Sequence, residues 1–142
     1  MALTIRPAIL SDYDDVVALD SDLPHGSPRA EALRLWVNAG EAYIAFADSE
    51  PAGYAVMTRH FFDRAFVELL MVGARFRRTG IATAMMRYLA GISPTELLWT
   101  STNESNAPMR ALLAAEGFIP SGVVEGLDEG DPELFFRKRA WG

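Results

Sequence analysis

An apolar segment that runs through a short basic turn into an amphipathic helix is the feature that most constrains this chain. Residues 66–72 are apolar apart from Glu68, which predicts a strand near the centre of a sheet. Residues 75–80 carry three arginines and a glycine, and apolar residues recur at helical spacing over 81–92. A helix start has free backbone N–H groups and a partial positive charge, so this junction predicts an anion-binding site. An ordinary turn with solvated arginines is the alternative.

The bulk composition is that of one folded domain. The chain has 142 residues, half of them hydrophobic and 23% charged, which predicts a single domain over 1–142 with a sizeable core. No stretch is long enough to span a membrane, and residues 1–7 are typical of a strand and not of a secretory leader. We therefore expect no membrane partner and a cytoplasmic location.

Net charge and residue types exclude several classes of function. The formal net charge of −6 argues against a nucleic-acid partner and weakly favours cationic substrates such as amines. The chain has no cysteine, and His25 and His60 are its only histidines, so thiolate sites and three-histidine zinc sites cannot form within it. No metal is predicted.

Hydrophobic periodicity predicts the order of the elements. The predicted strands cover 3–7, 43–47, 54–58, 66–72, 97–100, 123–125 and 134–137, and the predicted helices cover 12–20, 30–37, 81–92 and 106–116. Ser11 followed by Asp14 is typical of a helix cap, and 48–53 and 63–64 are predicted turns. The order βααβββαβαββ predicts a mixed α/β or α+β domain, in which the helix at 81–92 crosses over between two parallel strands.

Two motifs add a family resemblance to this order. Arg77, Gly80 and Ala82 satisfy the pattern Gln/Arg-x-x-Gly-x-Gly/Ala, and residues 106–118 begin with asparagine and end in Gly-Phe. Together they resemble the GNAT superfamily of acyl-CoA-dependent N-acetyltransferases, over essentially the whole chain. The resemblance implies a central mixed, mostly antiparallel sheet of six or seven strands with about four helices. Its fourth and fifth strands would form a parallel, splayed pair.

The resemblance also implies acetyl-CoA as the co-substrate and assigns residues to it. Met71 and Val72, at the end of the fourth strand, would pair with the pantetheine arm. Asn106 would contact the cofactor, and the alternative is a helix N-cap formed by Ser105 or Asn106. The pyrophosphate would be held by the turn and the first helical residues, which are Arg77, Arg78, Thr79, Gly80, Ile81, Ala82 and Thr83.

For the chemistry we expect acetyl transfer to a primary amine of a small molecule or peptide, by direct attack in a ternary complex. The backbone N–H of Val72 is the candidate donor to the oxyanion that develops. Glu68 is the candidate general base, and we expect it to be buried on the same strand face as Phe66. A solvated or arginine-paired carboxylate at Glu68 is the alternative.

One position departs from the pattern of the family. Leu113 falls where many members have a tyrosine that protonates the departing thiolate, so the general acid is left open. The possible substitutes are Tyr43, Tyr54, Tyr88 and Ser105, and the sequence selects none of them.

Two histidines are weaker candidates for the acceptor site. His25 lies in the loop between the first two helices and His60 follows the third strand, regions that border the acceptor in the family. Ordinary loop and strand-end roles are the alternatives. Trp36 and Trp99 occupy spaced apolar positions and are predicted core residues.

Two other functions compete with this interpretation. Because Leu113 stands where many members of the family have a tyrosine, a non-catalytic acyl-CoA-binding or regulatory module is the alternative function. A nucleotide-phosphate enzyme is disfavoured, because no Lys-Ser/Thr pair follows Gly80 and the spaced glycines of a dinucleotide fold are missing. The acceptor amine is not predicted, and a homodimer through the closing strand at Phe135 and Phe136 is implied by the resemblance alone.

Overall fold

The elements follow the predicted order. The structure is a computed structural model that describes residues 1–20 and 27–141. Its strands are β1 (Leu3–Pro7), β2 (Ala42–Ala47), β3 (Glu50–Phe61), β4 (Arg64–Val72), β5 (Leu97–Asn103), β6 (Ile119–Val124) and β7 (Glu133–Arg139). Its helices are α1 (Tyr13–Leu19), α2 (Pro28–Asn38), α3 (Ile81–Gly91) and α4 (Ala107–Ala115), with short 3-10 turns at Leu10–Asp12 and Ala74–Phe76.

The seven strands form one mixed sheet in the order β1-β2-β3-β4-β5-β7-β6. Only the β4–β5 pair is parallel among the described ladders, and α3 is the crossover between these two strands. The predicted fold class is therefore confirmed. The β4–β5 ladder runs from the pair Ala65–Leu98 to the pair Val67–Thr100, so residues 68–72 of β4 lie beyond its last pair.

Backbone contacts divide the chain into two compact units. The first contains residues 1–57 and 69–88, and the second contains residues 58–68 and 89–142. The single domain expected over 1–142 stays a prediction. Among the described residues, no helix combines the length and the apolar character that crossing a membrane requires.

The core of the first unit lies between its helices and strands. It is built from residues such as Val16 of α1, Leu33 of α2, Ile44 of β2 and Tyr54 of β3, all of them fully buried. Trp36, a predicted core residue, packs against this cluster while staying half-buried.

The start of α1 corrects the predicted cap at Ser11. The N-cap residue is Asp12, which is buried. Its carboxylate accepts hydrogen bonds from the Arg6 guanidinium at 2.8 and 3.0 Å and from the Ile9 N–H at 2.8 Å. Hydrogen bonding to Arg6 lowers the pKa of Asp12, because it favours the charged carboxylate. The Asp12 carboxylate can be buried here because it is paired with Arg6. A serine hydroxyl at this position could not form that ion pair.

Two tight turns shift the predicted strand boundaries. Asp48–Ser49 and Phe62–Asp63 connect β2 to β3 and β3 to β4, and all four residues have positive φ. Two-residue hairpin turns of this kind match the twist of the flanking strands. The predicted turns at 48–53 and 63–64 were therefore misplaced.

Helix α3 lies unusually close to strand β3 at Gly53. A Cβ atom on Gly53 would lie 2.9 Å from the Met71 carbonyl oxygen and 3.1 Å from the Met85 sulfur. Ile81 and Met85 are fully buried at this contact, so the absence of a side chain at Gly53 seats the first turns of α3 on the sheet.

The predicted helical stripe ends sooner than expected, since Ile92 follows the helix and is 41% exposed.

The second unit is organised around β5, β7 and β6. Alternate residues of β5 point to opposite faces, and Leu98 and Thr100 lie on the buried face. Leu113 of α4, Phe118 and Phe136 are buried in the same unit. Strand β6 begins at Ile119, earlier than predicted, and its register with β7 shifts between Pro120 and Gly122.

We predict that Gly53→Ala destabilises the fold. The added Cβ would meet backbone as well as the Met85 sulfur, and overpacking of this kind costs about 1–3 kcal/mol. Urea unfolding measures the free-energy change. Gly91→Ala is the matched control, since a Cβ on Gly91 at the end of α3 meets nothing within 4 Å. Equal stability of both variants would contradict the close approach of α3.

Candidate active site

The predicted anion site is a tight, exposed turn. After β4, residues 74–76 form a 3-10 turn, Arg78 has φ +63° and Gly80 has φ +85°. Helix α3 then begins at Ile81. A Cβ on Gly80 would meet nothing within 4 Å, so glycine serves the backbone conformation here and the space beside it is open.

Arginine side chains surround this helix start. Arg75 pairs with Glu50 at 3.1 Å and lies over the Phe76 ring, an exposed arrangement of small energetic weight. Arg77 and Arg78 are exposed, and the Thr79 hydroxyl donates to the Phe76 carbonyl. The structure thus brings the predicted residues 77–83 together at the start of an eleven-residue helix. Open space, a helix dipole and mobile positive charge fit a pyrophosphate.

A cavity of about 270 Å³ opens beside the turn. Leu19 of α1, Pro51 of β3 and residues 73–77 contribute to its lining. Gly73 is held between them, since a Cβ there would lie 2.9 Å from the Leu19 side chain. The turn is therefore anchored on one side and open on the other.

The Val72 N–H is oriented by its neighbour. The Gly73 N–H donates to the Ala52 carbonyl of β3 at 2.8 Å. Because successive N–H groups of an extended chain point to opposite edges, the Val72 N–H points away from β3. It lies on the stretch of β4 beyond the last β4–β5 pair, so the ladder does not use it.

Glu68 is exposed, so the expected burial was wrong. Its Oε1 accepts a hydrogen bond from the buried Thr58 hydroxyl of β3 at 3.0 Å. The same Thr58 oxygen accepts from the His60 N–H at 3.4 Å. The carboxylate is thus held by a hydroxyl and reached by water, which is the solvated alternative and not the arginine-paired one.

Of the two candidate histidines, the structure describes His60. His60 is an exposed residue inside β3 and does not follow the strand as predicted, because β3 continues to Phe61. Thr58 links its backbone to Glu68. His25 lies outside the described residues.

Asn106 is the N-cap of α4. Its Oδ1 accepts from the Met109 N–H at 3.2 Å, as the capping alternative required. Ser105 is engaged elsewhere, since its N–H donates to an Asp131 carboxylate oxygen at 3.0 Å. Contact between Asn106 and the cofactor stays a prediction.

The acidic loop between β6 and β7 is tied to the beginning of α4. The Asn103 amide donates to Asp128 at 2.9 Å, and the Glu104 N–H donates to the Pro132 carbonyl at 2.8 Å. Together with the Ser105–Asp131 contact, these bonds make the loop part of the β5–α4 junction. Among the described residues, no group of His, Asp or Glu side chains is arranged to hold a metal ion.

The possible substitutes for the missing tyrosine are not equivalent. Leu113 itself is fully buried in the core of the second unit. Tyr54 is also fully buried, and burial raises its pKa to about 12. Tyr43 is half-buried with its ring 5.7 Å from that of Tyr88, and burial raises its pKa as well. Because burial raises the pKa of both Tyr54 and Tyr43, each is a weaker proton donor than an exposed tyrosine.

The second unit contains a cluster of aromatic rings that the sequence did not predict, which we call the aromatic floor. It consists of Phe61, Phe66, Trp99 and Phe135, which come from β3, β4, β5 and β7. Trp99 is half-buried and not the core residue that was predicted, and its buried Nε1 has no acceptor in the described part of the chain. Strand alternation could have predicted which residues of one strand share a face. Only the pairing register between strands shows that the four rings meet.

A sheet of this order, with an arginine-rich helix start directly after the fourth strand, is the architecture of acyltransferases that use acyl-CoA. A family model described as Acetyltransferase (GNAT) family matches residues 10–118, and the chain belongs to this family. Membership implies acyl transfer from acetyl-CoA.

Solved structures agree with this assignment. A GNAT-family acetyltransferase from Bacillus cereus ATCC 10987 is 34% identical, with 98% of each chain covered and a TM-score of 0.91. Ard1 from Thermoplasma volcanium is 17% identical over 100% of both chains, with a TM-score of 0.83. The ribosomal-protein-S18-alanine N-acetyltransferase from Escherichia coli is 18% identical over 98% of this chain and 94% of its own, with a TM-score of 0.77. The last two show the fold alone, and no curated protein matches the chain.

We predict that Tyr54→Phe changes alkaline stability and not catalysis. The folded-state pKa of Tyr54 is about 12, against about 10 for an unfolded tyrosine. Its neutral hydroxyl therefore stabilises the fold below about pH 10, and this stabilisation is lost as the pH rises from about 10 through about 12. Urea unfolding from pH 8 to 12 should show a shallower loss in the variant. A large drop in kcat at neutral pH would instead identify Tyr54 as a proton donor.

Proposed function

We propose that this protein is an N-acetyltransferase that transfers the acetyl group of acetyl-CoA to a primary amine of a small molecule or peptide. The observation that carries the proposal is the orientation of the Val72 N–H, which points away from β3 on the stretch of β4 beyond its last pair with β5. Glu68 lies four residues earlier on the same strand, about 13 Å along it. A donor for negative charge and an acceptor for a proton therefore stand on one strand.

The chain's own residues would hold acetyl-CoA through backbone groups. The N–H groups at the start of α3, with Arg77 and Arg78, would bind the pyrophosphate. Met71 and Val72 would pair with the pantetheine arm, and Asn106 is the further contact that the family pattern suggests. When bound, the cofactor supplies an activated thioester carbonyl.

The proposed transfer is a direct attack in a ternary complex. The nitrogen of the amine forms a bond to the carbonyl carbon, the carbon–sulfur bond breaks, and the sulfur leaves with the electron pair. Glu68 accepts the amine proton, directly or through one water, and the Val72 N–H stabilises charge on the carbonyl oxygen. Positioning of the two reactants can contribute about 7–11 kcal/mol to lowering the barrier.

The buried Leu113 favours a second candidate, a non-catalytic acyl-CoA-binding or regulatory module. Thiol release separates the two functions, because a binding module would bind CoA without releasing it from acetyl-CoA. The enzyme remains our proposal, since a thiol of pKa about 8.5 leaves as thiolate with little help from an acid.

We predict that Gly80→Ala weakens CoA binding at least about tenfold by calorimetry. The methyl group would stand in the open space where phosphate oxygens approach, and φ +85° is strained for alanine. Gly40→Ala is the matched control, because Gly40 has φ +74° and equally open surroundings at the end of α2. Both variants should lose similar stability while only Gly80→Ala loses affinity. Wild-type affinity in both would contradict the assignment of the turn.

We predict that Glu68→Gln lowers kcat/KM for the amine at least about tenfold and leaves the KM for acetyl-CoA unchanged. The readout is thiol release in a screen of amines and peptides, with the best acceptor then followed against pH. The pH profile of the variant should differ from that of the wild type, because glutamine cannot take up the proton. Glu31→Gln, at an exposed position of α2, is the control and should keep the full rate. An unchanged pH profile for Glu68→Gln would remove this residue from the mechanism.

A further inference from the structure

We infer that the acceptor is a primary amine carried on an aromatic body, with no carboxylate beside the amine. This inference rests on the proposed function and names its substrate class. It follows from the aromatic floor and from the placement of charges around it, all within the second unit.

The aromatic floor is a continuous surface on one face of the sheet. The Phe61 ring centre lies 4.9 Å from that of Phe66, 5.3 Å from that of Trp99 and 5.8 Å from that of Phe135. Phe66 pairs with Trp99 across β4 and β5, and Phe135 pairs with Ser101, two residues after Trp99. Residues two apart on a strand share a face. Phe61, Trp99 and Phe135 are partly exposed, so the floor offers some ring surface to a ligand.

Two carboxylates stand at one end of the floor. Glu68 is two residues after Phe66 on β4, and Glu133 is two residues before Phe135 on β7. Because β7 is antiparallel to β5 and β5 is parallel to β4, both glutamates lie toward the carboxyl end of β4. That end leads to Val72. Glu133 accepts a hydrogen bond from the Ser101 hydroxyl at 2.7 Å, which holds its carboxylate on this face.

A guanidinium stands at the opposite end. Arg137 is two residues after Phe135, lies 5.9 Å from the Trp99 ring centre and donates to the Ser121 hydroxyl. The aromatic floor thus has charges of opposite sign at its two ends, negative at the Glu68 end and positive at the Arg137 end.

This polarity selects among amines. An ammonium group is attracted to the two glutamates and to the ring faces, and its aromatic body can stack on the floor. A second ammonium at the far end, as in a diamine, would meet Arg137. A carboxylate next to the amine, as in an amino acid, would meet Glu68 and Glu133.

The first test compares four acceptors by thiol release at one pH, namely 2-phenylethylamine, n-butylamine, 1,4-diaminobutane and phenylalanine. We expect kcat/KM for 2-phenylethylamine to exceed each of the others at least tenfold. Preference for the diamine or for phenylalanine, or equal rates, would overturn the inference and leave the proposed function intact. If no amine releases thiol, the proposed function fails. Calorimetric binding of 2-phenylethylamine and n-butylamine to the CoA-loaded protein then decides the inference, which requires the aromatic amine to bind more tightly.

The second test uses variants of the floor. Phe135→Leu should raise the KM for 2-phenylethylamine at least fivefold and change that for n-butylamine less than twofold, whereas a purely structural role would affect both amines equally. Glu133→Gln should raise the KM for 2-phenylethylamine and lower the ratio of its kcat/KM to that of phenylalanine. Glu129→Gln, in the exposed acidic loop, is the control and should do neither. Trp99→Phe replaces Phe135→Leu if the latter does not fold, and equal losses for both amines would overturn the inference.

Discussion

The close approach of α3 to β3 at Gly53 is the packing constraint on which the arginine-rich turn before α3 depends. Ile81 and Met85 are fully buried against this glycine, so the helix cannot shift outward without losing that burial. The chain must therefore join β4 to a fixed helix start within residues 73–80, and it does so with positive φ at Arg78 and Gly80. A turn fixed before the ligand arrives loses less entropy on binding. Core packing and the proposed cofactor site thus depend on the same contact.

The end of the β4–β5 ladder explains why Glu68 is exposed. Both strands are paired up to Val67 and Thr100, and Glu68 is the next residue of β4. An ionised carboxylate without a buried cation is costly in an apolar interior, whereas here water and the Thr58 hydroxyl satisfy it. The same location leaves it available to a substrate, so its exposure suits the proposed role better than the expected burial.

The proposed reaction does not require a tyrosine at position 113. Leu113 fills the core beneath α4, and Tyr54 holds its proton too tightly near neutral pH to donate it readily. A thiolate is a good leaving group, and orientation of the reactants can contribute about 7–11 kcal/mol to lowering the barrier. In the proposed reaction, catalysis then depends on Val72 and Glu68.

Hydrophobic periodicity and local turn chemistry were sufficient to order the strands and α-helices and to place the arginine-rich turn before α3, and two sequence motifs carried the resemblance to the family. These are properties of neighbouring residues, and both the helical stripe beginning at Ile81 and the glycine at position 80 express them directly. From the same patterns, the predicted positions of the hairpin turns and the predicted burial of Glu68 were wrong. Strand ends and exposure depend on pairing partners far away in the chain. The aromatic floor shows the difference most clearly. Phe61 and Phe135 are 74 positions apart, and only the strand register brings them onto one face with Glu133 and Arg137 at opposite ends. The arginine-rich turn is encoded by neighbouring residues, whereas the proposed acceptor surface is formed by long-range strand pairing and exists only in the folded protein.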